Sequence, residues 1–151
     1  MIKLSRTDSD DPDFSMLVRL LDEYLAVLDG DEHAFYAGLN KTDLIKHVVV
    51  AYLNESPVGC GAVREFSPES TEVKRMFVKP EYRGKGIAIL ILAELERWAG
   101  ELGYRYCVLE TGKRQPEAIA LYRKQGYMNI PNYGRYKGVE NSVCFEKKIK
   151  E

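Results

Sequence analysis

Apolar residues recur along the chain with two different periods, and the switches between them mark out the elements. Phe14, Leu17, Val18, Leu21, Tyr24, Leu25 and Leu28 fall at helical spacing. Pro12 suits a first turn and Gly30 follows the end, so the pattern predicts a helix over Pro12–Leu28. "IKLSRT" before it reads as a short first strand. "KHVVVAYL" and "PVGCGAVREF" are rich in β-formers and flank "NES", which predicts a hairpin. "STEVKRMFV" reads as the next strand.

Ile87, Leu90, Ile91, Leu95, Trp98 and Leu102 form one apolar stripe, which predicts a helix over Ile87–Leu102 ended by Gly103. "YRYCVLET" reads as a strand, and Pro116–Gln125 as a helix with Gly126 just past its end. "YMNI" and "NSVCFEKKI" read as closing strands around the turn-rich "PNYGRYKGVE". "DGDEHAFYAGLNKTD" is a polar, aromatic-bearing connection with room for a short second helix. The order β-α-(α)-β-β-β-α-β-α-β-β predicts an α/β fold, a mixed central sheet flanked by helices.

Composition narrows the class. A chain of 151 residues suggests one domain, spanning 1–151, with enough core to fold alone. No apolar run approaches the ~18 residues of a membrane span. "MIKLSRTDSDD" lacks the apolar region of a secretory signal. Cys60, Cys107 and Cys144 lie far apart, which fits a reducing cytoplasm, and with only two histidines no metal site is expected. A net charge of −1 gives no ground for a general affinity for nucleic acid. The charge is uneven, however: residues 1–32 carry 9 acidic and 3 basic side chains, and residues 111–151 carry 9 basic and 4 acidic. The two ends either face different partners or are solvated surface.

The candidate chemistry begins at "PEYRGKGIAIL", which joins a predicted strand to a predicted helix. Gly84 and Gly86 remove side chains where a ligand can approach backbone N–H groups. The helix start adds unpaired N–H groups and a positive dipole end, and Arg83 and Lys85 add charge. Together these features read as a phosphate site. GxxxxGK[ST] and GxGxxG are both absent, so neither a Walker nor a dinucleotide loop is indicated.

Arg83, Gly86 and Ala88 instead fit R-x-x-G-x-A, which resembles motif A of the GNAT superfamily of acetyl-coenzyme A-dependent N-acetyltransferases. "QPEAIALYRKQGY" resembles a second block of that family, (N/Q)-x-x-A-x-x-L-Y-x-x-x-G-(F/Y), through Gln115, Ala118, Leu121, Tyr122, Gly126 and Tyr127. One helix and one strand separate the two blocks, as in the family, and the element order follows it over nearly the whole chain.

The resemblance implies a sheet splayed between its fourth and fifth strands, acetyl-CoA as co-substrate, and direct attack by a primary amine in a ternary complex. Cys107 is then not needed as a nucleophile. Arg83, Gly84, Lys85, Gly86, Ile87 and Ala88 are expected to hold the pyrophosphate, mostly through backbone. Met76, Phe77 and Val78 are expected along pantetheine, with the Val78 N–H on the thioester carbonyl. Gln115, Ala118 and Tyr122 share one helix face. Tyr122 is the expected general acid, since a phenol with a pKa near ~10 keeps its proton at neutral pH.

Several candidates stand for the base. Glu72 matches a position where some members carry a catalytic glutamate, and strand alternation puts it on one face with Val78, six residues on. Glu110 and His33 are alternatives, and so is water. The acceptor wall corresponds to residues around Leu28–Asn40 and Pro131–Asn141. Asp31, Glu32, His33 and Tyr36 in the first segment, Tyr133 in the second and Glu110 on its strand are candidate acceptor contacts. Their carboxylates and aromatic faces suit a small amine or amino acid, with a peptide or protein amine second. A non-catalytic coenzyme A-binding module is the other class left open, and the presence of Tyr122 argues for the enzyme. Dimerisation is common in the family, but the chain carries no decisive interface signature.

Overall fold

Asp11 starts the first helix. Its carboxylate accepts the backbone N–H of Asp13 at 2.8 Å and of Phe14 at 3.2 Å. Pro12 fills the first turn, where no intrahelical bond is lost. The structure, a computed structural model, describes residues 1–30 and 44–150. This helix, α1, spans Pro12–Asp29. The polar connection expected after it, with its short second helix, lies outside the described residues from position 31 to 43.

The described residues form seven strands and two further α-helices. The strands are β1 (Ile2–Thr7), β2 (His47–Leu53), β3 (Ser56–Ser67), β4 (Ser70–Val78), β5 (Tyr106–Gly112), β6 (Met128–Ile130) and β7 (Ser142–Lys148). The helices are α2 (Ile87–Glu101) and α3 (Pro116–Lys124). One mixed sheet runs in the order β1-β2-β3-β4-β5-β7-β6. The β2–β3 turn is tighter than the expected "NES". Asn54 and Glu55 both take positive φ, 50° and 70°, as a two-residue hairpin turn of the primed kind requires.

β2 alternates between two cores, which explains its unbroken apolar run. Val48 and Val50 join Phe14, Leu17, Val18 and Leu21 of α1 on one face. Val49 and Ala51 join Ile87, Ile91, Leu92 and Leu95 of α2 on the other. The buried stripe of α2 sits slightly round from the expected one. Leu92 and Ala99 are buried, while Leu90 and Leu102 are 43% and 45% exposed, because the sheet meets the helix along the Ile87–Ile91–Leu95–Ala99 line. Two buried glycines let α2 approach β3: a methyl group on Gly61 would lie 2.5 Å from the Met76 sulfur and 2.9 Å from Ile91. Among the described residues, no helix is long and apolar enough to cross a membrane.

Two irregularities in the sheet shape the site. β4 and β5 run parallel and pair only from Ser70↔Tyr106 to Glu72↔Val108. Beyond Glu72 they part, while β4 stays paired with β3 as far as Val78 and β5 stays paired with β7 as far as Gly112. This is the expected splay between the fourth and fifth strands. The second irregularity is a β-bulge in β4. From Gly59↔Val78 to Ala62↔Lys74, β3 advances three residues and β4 four. Arg75, at φ 59°, absorbs the extra residue.

The bulge overturns one expectation. Glu72 and Val78 do not share a face, because the extra residue reverses the alternation between them. Val78 faces the α2 core, whereas Lys74 stands opposite Ala62 on the α1 side, with Glu72 two residues before it.

Candidate active site

The fork between β4 and β5 opens into two cavities. The larger, about 520 Å³, runs from the glycine loop along β4 to α3. Phe77, Val78, Arg83, Gly84, Gly86, Ile87 and Ala88 line it. The smaller, about 120 Å³, lies on the α1 side of the fork among Leu21, Leu25, Glu72, Lys74, Glu110 and Tyr136. Leu21, Met76, Gln115, Ala118 and Tyr122 line both, so the two meet there.

The glycine loop is built as an anion cradle. Gly84 and Gly86 take φ of 81° and 78°, and Gly86 caps α2 from the left-handed region. A methyl group at either would meet nothing within 4 Å, so these glycines serve backbone conformation and leave the space before them open. The first intrahelical bond runs from Leu90 N–H to the carbonyl of the capping Gly86, at 3.2 Å. The N–H groups before it are those a helix start leaves without an intrahelical acceptor. Such a cradle fits a pyrophosphate.

Arg83 is used differently from a loose positive charge. Its Nε donates to the Val78 carbonyl at 2.8 Å. Its guanidinium lies over the rings of Tyr24 and Phe77, 4.9 and 5.6 Å from their centroids. Lys85 sits 6.0 Å from the Tyr82 ring centroid and does not line the cavity.

The end of β4 supplies a donor. Lys79 N–H bonds to the Val58 carbonyl at 2.9 Å, so this pair bonds across the β3–β4 ladder. The neighbouring pair, Val78 and Gly59, then turns its N–H and C=O outward. The outward direction for Val78 is the gap beside β5. The Val78 carbonyl, so turned, accepts from Arg83 Nε, and the N–H turns the same way.

Tyr122 stands at the meeting of the cavities, 7% exposed. Its ring packs edge-on to Tyr127 at 5.8 Å and tilted to Phe145 at 6.4 Å. Among the described residues no hydrogen bond holds its hydroxyl. Burial, and then the charge of Glu110, push the phenol above its usual range, so it keeps its proton.

Glu72 is 7% exposed, not a solvent-facing strand residue. Its Oε2 accepts the Tyr133 hydroxyl at 2.9 Å. Its Oε1 lies 3.8 Å from Arg64 Nε and 3.9 Å from Lys74 Nζ. Arg75, the next residue along the strand, pairs with Asp22 at 2.8 Å. Burial pulls the Lys74 ammonium below the usual lysine range, and Glu72 opposes that pull.

The structure therefore brings together Met76, Phe77, Val78, Gly84, Gly86, Ile87, Ala88, Gln115, Ala118 and Tyr122, with Glu72 and Glu110 beside them. Tyr133 packs behind Glu72 and lines neither cavity. Asp31, Glu32, His33 and Tyr36 lie outside the described residues. Lys74, Tyr136 and the α1 residues Leu21 and Leu25 escaped the sequence reading. Only Lys74 left a signal, a charge at i+2 from Glu72 and so on the same strand face.

The three thiols are buried, and burial pushes Cys60 up to about 12 and Cys107 and Cys144 up to about 11. Thiols so protonated are poor nucleophiles.

Residues 14–127 match the model of the Acetyltransferase (GNAT) family. The chain is 36% identical over 137 residues to an IAA acetyltransferase of Azospirillum brasilense, covering 88% of each chain. Its fold is similar to that of a proposed acyl-CoA N-acyltransferase from Klebsiella pneumoniae, with a TM-score of 0.82, 27% identity, and 99% of this chain and 98% of that chain covered. It is also similar in fold to the PaiA N-acetyltransferase of Thermoplasma acidophilum, solved in complex with coenzyme A, with a TM-score of 0.71, 19% identity, and 98% and 99% covered.

Proposed function

This chain belongs to the GNAT acetyltransferase family and is an acetyl-CoA-dependent acetyltransferase, and from that premise we propose that it acetylates a small primary amine or amino acid by direct attack. Residues 1–151 act as one catalytic domain in the cytoplasm, where reduced, scattered thiols are at home. The observation that carries the reading is the junction at Tyr122, where a long groove and a small cavity share five lining residues. A cavity of about 120 Å³ suits a small acceptor group.

Each step has a residue in place. The Gly84–Ala88 cradle holds the pyrophosphate of acetyl-CoA, which supplies an activated acetyl thioester when bound. The Val78 N–H, turned into the gap, donates to the thioester carbonyl and favours the charge that grows there. Glu72 takes the proton of the acceptor amine from the α1 side, directly or through one water. Tyr122, whose phenol stays protonated, gives its proton to the departing thiolate. None of these roles requires an acyl-enzyme, which accords with three buried, protonated thiols.

The test is thiol release from acetyl-CoA across polyamines, free amino acids, aminoglycosides and short peptides. Turnover concentrated on small amines or amino acids is expected. Turnover only on peptides would move the acceptor class, and no turnover on any amine would favour a coenzyme A-binding module.

A further inference from the structure

The base in this reading is a buried carboxylate, and a buried carboxylate needs partners that both stabilise and aim it. The charged and titratable groups facing Glu72, among the described residues, come from several elements. Arg64 on β3 and Lys74 on β4 approach Oε1. Glu110 lies across the fork on β5 and Cys144 behind it on β7. One group makes a hydrogen bond with good geometry: the Tyr133 hydroxyl, 2.9 Å from Oε2. The two cations sit at 3.8 and 3.9 Å, too far to fix an orientation.

Tyr133 is itself held. Its ring meets Phe66 edge-on at 4.7 Å and Tyr136 edge-on at 5.7 Å. Its loop is pinned by the Asn132 side chain, which donates to the Val139 and Ser142 carbonyls at 3.1 Å each. Burial and the charge of Glu72 raise its phenol far above the usual range, so it remains a donor at any pH the enzyme meets. It lines neither cavity, whereas Tyr136 beside it lines the smaller one.

We propose that Tyr133 is a positioning residue, whose hydroxyl, carried on the loop between β6 and β7, holds the Glu72 carboxylate toward the acceptor-side cavity. This rests on Glu72 as the base. Of the two carboxylate oxygens, Oε2 is fixed by the phenol, and rotation about the last side-chain bond is stopped. Tyr133 touches neither acceptor nor acetyl-CoA and acts through Glu72.

The experiment measures Glu72 itself and then its work. Enzyme labelled with 13C at glutamate side-chain carboxyls is titrated by NMR, the Glu72 resonance being assigned by its loss in Glu72→Gln. In Tyr133→Phe, with the fastest amine of the acceptor panel, the acid limb of kcat/KM should move to higher pH, because the charged form has lost a donor, and the Glu72 resonance should follow it. Turnover should fall ~10-fold from lost alignment, with acetyl-CoA affinity unchanged. Tyr133→Phe added to Glu72→Gln should change nothing further. A Glu72 midpoint equal to wild type, or a slower variant whose acid limb has not moved, overturns the role of Tyr133. An acid limb that persists in Glu72→Gln overturns the base itself, and the positioning role with it. Circular dichroism on each variant separates these outcomes from misfolding.

Discussion

Arg83 Nε donates to the Val78 carbonyl at 2.8 Å, and this one bond ties the start of the glycine loop to the end of β4. Two parts of the site are thereby fixed relative to each other: the glycine loop, proposed to hold the pyrophosphate, and the Val78 N–H, proposed to meet the thioester. The stacking of the guanidinium on Tyr24 and Phe77 extends the tie to α1. Arg83→Met keeps an unbranched stem and removes the donor. A bond from a charged donor contributes roughly 1.5–3 kcal/mol, so acetyl-CoA should bind at least ~10-fold more weakly. Calorimetry measures this, and an unchanged Kd would show that the loop holds its shape without Arg83.

Gly86 separates backbone strain from charge. At φ 78° any L-residue is strained by about 1–2 kcal/mol, yet open space surrounds the position. Gly86→Ala should therefore lower Tm by several degrees and leave binding partly intact. Gly86→Asp adds the same strain and a carboxylate at the cradle, and acetyl-CoA binding should be largely lost. Equal Kd values for the two variants would place the phosphates elsewhere.

His47 gives a pH dependence remote from the site. Burial, and then the charge of Lys46, lower its folded-state pKa below 6.5. The unfolded chain then takes up the proton first as pH falls. The stability this neutral imidazole contributes is present above about pH 6.5 and is lost as pH falls through the lowered folded value. His47 packs edge-on to Trp98 at 4.8 Å, so His47→Phe keeps a ring there. The variant should lose less stability than wild type between pH 7 and 5 in urea titrations. Parallel pH curves would exclude this group as the cause.

The cofactor side of the site was legible in the sequence because its parts are local. The glycine spacing, the helix start and the face carrying Gln115, Ala118 and Tyr122 all lie within short stretches. The acceptor side was less legible. Tyr133 and Glu72 are 61 positions apart, and nothing local announces their bond. The bulge at Arg75 carries no glycine to mark it, since the positive φ falls on an arginine. Alternation alone therefore put Glu72 on the face of Val78, and one extra residue moved it to the α1 side. The acidic stretch around Asp31 was read from charge, and its residues lie outside those described.

In the proposed reaction, acetyl transfer takes place where the two cavities meet, with Tyr122 as proton donor to the leaving thiolate. Its most direct test is the turnover of Tyr122→Phe, measured as thiol release with the fastest amine of the panel, beside acetyl-CoA affinity by calorimetry. The ring and its packing on Tyr127 and Phe145 are kept, and only the hydroxyl goes. Turnover should fall ~10²-fold or more while the acetyl-CoA Kd stays at the wild-type value. Turnover equal to wild type would rule out proton donation by Tyr122 and leave it a core tyrosine.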